Sequence, residues 1–153
     1  MTRLWQPRES RLLAEYLAQK YPKDTVMYRV RLGQTPAWAA SSISEGVPAE
    51  IYKAYQRWAD AIIITQTHLI LMEAKIKPEP GVISQILLYD QLIPKTYALD
   101  QYKKLQRSNI LLIAQHDPEV EELARKNNIT VEYFNPAWVT DYLIEIRKYR
   151  LRY

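Results

Sequence analysis

The chain has 153 residues, of which 48% are apolar and 25% are charged, the balance of an ordinary globular protein. Its length suits a single domain covering residues 1–153. There is no cysteine and there are two histidines, which excludes disulfides and thiolate zinc sites and argues against a histidine-rich metal site. No apolar run approaches the roughly 20 residues that span a bilayer, so we expect a soluble, intracellular (cytoplasmic) protein that does not enter a membrane.

The first half of the chain predicts one helix, a flap and three strands. Apolar residues at helical spacing follow Pro7, and that helix should end before Pro22. Residues 34–48 are rich in proline, serine and glycine, and we expect a mobile flap there. The last two strands are apolar on both faces, which is typical of the centre of a sheet. The predicted strands cover residues 26–32, 59–65 and 68–76.

The second half of the chain predicts alternating helices and strands. Residues 82–93 have helical spacing and end before a proline. Asp117-Pro118 and Asn135-Pro136 each place a capping side chain before a proline, which predicts a helix start at both positions. The predicted strands cover residues 110–114 and 130–134, and the last strand–helix–strand unit should be parallel. The order predicts an α/β fold with a mixed central β-sheet flanked by helices.

Two carboxylates are predicted to meet in the middle of this sheet. If residues 59–65 and 68–76 form a hairpin turning at Gln66-Thr67, Asp60 faces Glu73, with their Cβ atoms about 5 Å apart. Two charges at that distance repel by roughly 3 kcal/mol at an effective dielectric of 20. Lys75 lies on the same face as Glu73. Either Lys75 neutralises the pair, or a divalent cation does, and a cation between such carboxylates would make a phosphodiesterase site.

These residues resemble a known family of nucleases. Asp60 in one strand, then Glu73-Ala74-Lys75 in the next, is similar to the motif of the PD-(D/E)XK nucleases. In the following helix, Gln85 and Tyr89 resemble the Gln-x-x-x-Tyr motif of the RecB-like branch. Alanine precedes Asp60 where that branch usually has glycine, and the proline of the family name is absent. The resemblance implies a restriction-endonuclease-like fold, an αβββαβ core to which this chain adds αβα.

The resemblance also implies roles for these residues. Asp60, Glu73 and the carbonyl of Ala74 would bind Mg²⁺ or Mn²⁺, and Glu15 of the first helix is the candidate for an additional acidic ligand, with Glu50 a weaker rival. Lys75 would position the attacking water. Gln85 and Tyr89 would lie near the substrate or the lysine, although a surface glutamine and a core tyrosine are the alternative. The expected activity is metal-dependent hydrolysis of phosphodiester bonds, in DNA by family habit.

Other residues are candidates for holding a nucleic acid. Arg11 belongs to a basic N-terminal segment, with seven basic and three acidic groups in residues 1–32. Trp38, inside the predicted flap, could stack on a base. Lys103 and Lys104 could contact phosphates, but solvated surface positions are the equal alternative. The competing function is a catalytically inactive protein of the same fold, acting as a scaffold, assembly factor or nucleic-acid-binding subunit. A homodimer or a partner protein stays open in either case.

Overall fold

A computed structural model describes residues 8–34, 45–46, 48 and 56–151. Most of the predicted flap at 34–48, including Trp38, therefore lies outside the described residues, and so does Glu50. Within the described part, none of the helices is both long and apolar enough to cross a membrane.

The described elements follow the predicted order. The helices are α1 (Arg8–Lys20), α2 (Gly81–Leu92), α3 (Pro118–Lys126) and α4 (Ala137–Arg150). The strands are β1 (Thr25–Leu32), β2 (Arg57–Ile64), β3 (His68–Lys75), β4 (Gln106–Ile113) and β5 (Ile129–Tyr133). Two 3₁₀ segments, Ile93–Lys95 and Tyr97–Tyr102, connect α2 to β4.

The five strands form one mixed sheet in the order β1-β2-β3-β4-β5. The first three strands are antiparallel neighbours, whereas β3, β4 and β5 run parallel. In the β2–β3 hairpin Ala61 faces Met72 and Ile64 faces Leu69, which is the register that a turn at Gln66-Thr67 requires. The predicted α/β fold, the mixed sheet and the parallel final unit are all confirmed.

Helices cover both faces of the sheet, so the buried parts of β3 and β4 carry apolar side chains on both faces. The helices α2 and α3 pack on the first face, with Ile62, Leu71 and Leu111. The helices α1 and α4 pack on the second face, with Met72 and Leu112. Glu73 and Lys75 alternate with Ala74 of the second core, so both belong to the first face.

Side-chain alternation breaks in β1 and β2 at the level of Asp60. Ala59 and Ile62 both join the first core although they are three residues apart, and Met27 and Val30 of β1 do the same. Arg29 lies in this break with a φ of 49°, a left-handed conformation that costs a non-glycine residue roughly 1–2 kcal/mol. Beyond the break, Ala59 of β2 and Val30 and Leu32 of β1 therefore lie on the face opposite to the one that regular alternation from Ile62 and Met27 would give them.

Local chemistry explains most element boundaries, with two departures from expectation. Asp117 caps α3, because its side chain accepts a hydrogen bond from the amide of Val120. Asn135 does not cap α4, whose preceding residue is Pro136 in extended backbone; the Asn135 amide donates to the Tyr133 hydroxyl instead. The strand β4 starts at Gln106 rather than at residue 110, because its polar first residues pair with β3.

Candidate active site

Asp60 and Glu73 meet where β2 and β3 separate. Beyond the last regular pair, Ala61 and Met72, carboxylate oxygens take over the hydrogen bonds of the sheet. The amide of Asp60 donates to Glu73 Oε1 at 3.0 Å, and the amide of Ala74 donates to Asp60 Oδ2 at 3.0 Å. Each carboxylate thus anchors one oxygen on a backbone N–H and has a second oxygen for other partners. The predicted proximity of the two side chains is present in this form.

The electrostatics of the pair are unfavourable for two ionised groups. Glu73 is only 1% exposed, and burial is the main reason that its pKa rises from 4.5 to about 9. The nearby Asp60 carboxylate raises this pKa further, whereas the Asp60 amide and the charge of Lys75 act in the opposite direction. Burial and the neighbouring carboxylate therefore both favour the protonated form of Glu73 over the ionised one.

The helix α2 brings two more of the predicted residues to Glu73. The Gln85 amide nitrogen donates to Glu73 Oε2 at 3.4 Å and to the Tyr89 hydroxyl at 3.1 Å. Gln85 and Tyr89 are one helical turn apart, which puts them on the same side of α2. Tyr89 is buried in the first core, and burial is the main reason that its pKa is raised. Gln85 therefore contacts Glu73 directly, and the Tyr89 hydroxyl holds the Gln85 side chain in place.

The donor set suits a hard divalent cation bound with few protein ligands. The pair offers two carboxylate oxygens beyond those held by backbone amides, and Mg²⁺ characteristically takes one or two carboxylates together with water and phosphate oxygens. Among the described residues, no group of three or more acidic or histidine side chains is close enough to share a metal ion. From the part of the chain that the structure describes, backbone oxygens are the remaining candidate ligands, beside water and substrate.

Glu15, the candidate additional ligand, is occupied elsewhere in the structure. Its carboxylate accepts a 2.7 Å hydrogen bond from the Trp138 indole of α4 and pairs with Arg11 at 3.0 Å. The helix α1 packs on the second face of the sheet, whereas Glu73 faces the first. In this structure Glu15 is held against α4, and among the described residues it does not form a metal-binding group with Asp60 and Glu73. In α1, the Glu15 side chain contacts α4, and the buried residue next to it in the sequence is Tyr16.

The predicted nucleic-acid contacts are dispersed. Arg11 stacks over Trp138, with 4.4 Å between its guanidinium carbon and the ring centre, and lines a groove between α1 and α4. Lys103 is exposed and pairs with Asp100 at 2.9 Å, at the end of a 3₁₀ segment. Lys104 is also exposed, in the turn before β4. None of these contacts brings the three residues to the carboxylate pair.

Arg57 is a residue near the site that simple alternation would miss. A regular β2 would place positions 57 and 60 on opposite faces, but the break in alternation brings Ala59, and with it Arg57, to the first face. The positive charge of Arg57 acts to lower the pKa of Tyr89. Trp58 of β2 is 42% exposed, with the Arg29 guanidinium over its ring.

Sequence comparisons do not assign this chain to a family. No protein-family model matches it, and a search of curated proteins gives no match either.

A comparison with solved structures gives a match to a nuclease. The crystal structure of a repair endonuclease from Pyrococcus abyssi superposes with a TM-score of 0.51 and 12% sequence identity. The match covers 89% of this chain and 50% of that one, so this chain spans about half the length of the endonuclease. At this identity the likeness establishes the fold: a mixed five-stranded sheet flanked by helices, consistent with a restriction-endonuclease-like core.

Proposed function

We propose that this protein is a metal-dependent nuclease of the PD-(D/E)XK type, related to the RecB-like branch. The observation that carries the proposal is the Asp60–Glu73 pair, two carboxyl groups held together at the junction of two central strands, one of them 1% exposed. Such a pair destabilises a fold that has no use for it, because burying a carboxylate costs several kcal/mol without a compensating charge. A divalent cation supplies that charge.

Asp60 and Glu73 would hold Mg²⁺ or Mn²⁺, with the carbonyl of Ala74 as a further candidate. The bound ion would polarise a phosphodiester and lower the pKa of a water molecule. The backbone amides that fix Glu73 Oε1 and Asp60 Oδ2 orient the carboxylates before substrate arrives.

Lys75 and Gln85 act beside the carboxylates. Lys75 is half-buried on the same face as Glu73, and its ammonium would position the attacking water and stabilise negative charge that develops on the phosphate. Gln85 would orient Glu73 Oε2 through its amide, because it already contacts this oxygen and is steadied by the Tyr89 hydroxyl. Arg57 adds a positive charge on this side of the sheet.

DNA is the proposed substrate. The matched structure is described as a repair endonuclease, and the motif of Asp60, Glu73 and Lys75 resembles that of nucleases that cleave DNA.

One observation favours a second candidate, a catalytically inactive protein that keeps the fold as a scaffold or nucleic-acid-binding subunit. With a pKa of about 9, Glu73 is neutral at pH 7, and both carboxyl groups already have backbone partners, so the pair can persist without metal. This candidate predicts that removing the pair changes stability but no activity.

Cleavage assays separate the two candidates. Linear, circular, single-stranded and branched DNA, and RNA of the same sequences, are incubated with Mg²⁺, Mn²⁺ or EDTA. The nuclease proposal predicts cleavage of at least one substrate that EDTA abolishes and that Asp60→Asn and Glu73→Gln each reduce by at least about 100-fold. Glu122→Gln, at an exposed position of α3, is the control and should cleave like the wild type. Equal cleavage by all variants, or none by the wild type, would contradict the proposal.

A further inference from the structure

The carboxyl ends of β3, β4 and β5 meet at one edge of the sheet. Lys75 pairs with Ile113, and Ile113 pairs with Tyr133. Ile113 and Val131 belong to the first core, so alternation places Tyr133 on the face that carries Glu73 and Lys75. Adjacent strands are about 4.8 Å apart, which puts the backbone of Tyr133 about 10 Å from that of Lys75.

The side chain of His116 packs against Tyr133 at this edge. His116 follows β4, and its ring stacks on Tyr133 with 4.1 Å between ring centres and an angle of 11° between planes. Its Nδ1 lies 3.1 and 3.3 Å from the two carboxylate oxygens of Glu121. Since an ionised carboxylate only accepts, Nδ1 carries a proton and donates, and this contact fixes the orientation of the ring.

The partner of His116 is buried although the histidine is exposed. Glu121 is 6% exposed, accepts a hydrogen bond from the Asp117 amide at 2.9 Å and lies 3.6 Å from Arg125. The His116 side chain is 57% exposed. The ring is thus held at Nδ1 and on one face, which leaves Nε2 for a ligand. A carboxylate that accepts from one ring nitrogen of a histidine fixes the ring orientation, as it does for histidines that bind metals.

We propose that His116 is a substrate-binding residue that, with both ring nitrogens protonated, donates from Nε2 to a backbone phosphate of the nucleic acid. This inference rests on the proposed nuclease function, because the phosphate that His116 contacts would belong to the same strand as the phosphate cleaved at Asp60 and Glu73. At 3.4 Å of axis per nucleotide, the 10 Å between Lys75 and Tyr133 corresponds to about three nucleotides of B-DNA. Glu121 is a positioning residue, and Tyr133 supports the ring.

Binding in EDTA tests the contact without turnover. A fluorescein-labelled 24-nucleotide DNA, single-stranded and as a duplex, is titrated with the wild type, His116→Ala and Glu121→Gln at several salt concentrations. His116→Ala should weaken binding about three- to tenfold and reduce the dependence of log Kd on log salt concentration. Glu121→Gln should weaken binding less, and circular dichroism checks that each variant is folded.

His68→Ala is the matched control. The other histidine is half-buried at the opposite end of β3 and should leave DNA affinity unchanged when removed. Affinity of His116→Ala equal to that of the wild type, equal losses in His116→Ala and His68→Ala, or no binding of DNA by the wild type would each overturn the inference. If the wild type never cleaves DNA, but His116→Ala binds DNA more weakly than the wild type and His68→Ala does not, the contact is supported and the nuclease proposal is rejected. If the wild type cleaves DNA, His116→Ala should raise KM for that cleavage and leave kcat nearly unchanged.

Discussion

Replacing Glu73 by glutamine should make the protein more stable at neutral pH while removing its activity. Glutamine has almost the same shape, and its side-chain oxygen can still accept the hydrogen bond from the Asp60 amide. What the substitution removes is a buried acid whose pKa has risen to about 9 because of burial and the Asp60 charge. The wild type must keep this group protonated in the fold although it ionises readily in the unfolded chain.

The size of the effect follows from linkage. Because the folded pKa is raised, the contribution of Glu73 to stability is fully present below pH 4.5 and is lost as pH rises toward 9. Between pH 4.5 and 7, at 1.36 kcal/mol per pH unit, the wild type loses at most about 3 kcal/mol that the glutamine variant does not lose. For a chain of this size, at roughly 2–4 °C per kcal/mol, that corresponds to a Tm higher by up to about 12 °C at pH 7.

Urea unfolding of both proteins at pH 4.5, 7 and 9, in EDTA, measures this difference. The advantage of Glu73→Gln in free energy of unfolding should be small at pH 4.5 and grow through pH 7. Glu122→Gln should track the wild type at every pH, because that glutamate is exposed. A variant that is less stable than the wild type at pH 7, or a difference that does not change with pH, would refute the reasoning about the buried acid.

Three further predictions concern activity, capping and packing. Lys75→Met should lower kcat for DNA cleavage about 100-fold with little change in KM, because the lysine acts mainly in the transition state; an unchanged kcat would exclude that role. Asp117→Ala should lower the free energy of unfolding by about 1 kcal/mol in urea, because the Val120 amide at the start of α3 loses its acceptor; no loss would mean that water replaces the cap. Ile86→Ala should lower it by about 2–5 kcal/mol in the same assay, because this side chain is fully buried between α2 and the sheet; a loss below 1 kcal/mol would show that the core collapses around the gap.

The hairpin register could be predicted because few physical constraints determine it. A tight turn at Gln66-Thr67 and apolar residues on both faces leave little freedom in how residues 59–65 pair with residues 68–76. That register alone brings Asp60 to Glu73. The helix capped by Asp117 was predictable for a similar reason, since the signal is local to the residues that form the contact.

The parts that could not be predicted depend on contacts between distant segments. The direction of Glu15 is decided by Trp138, 123 positions along the chain, and helical spacing leaves Glu15 at the margin of the apolar side of α1. The position of Arg57 depends on the break in alternation at Arg29 and Asp60, which no local pattern announces. His116 looks like a loop residue until β5 places Tyr133 beneath its ring.

The central claim is that Asp60 and Glu73 together hold one divalent cation, and Mn²⁺ binding measured by isothermal titration calorimetry tests it most directly. The wild type should bind one Mn²⁺ per chain at this pair and release protons as Glu73 ionises, whereas Asp60→Asn and Glu73→Gln should lose that binding and Glu122→Gln should keep it. Binding that survives in both site variants, or no binding by the wild type with or without DNA, would contradict the account.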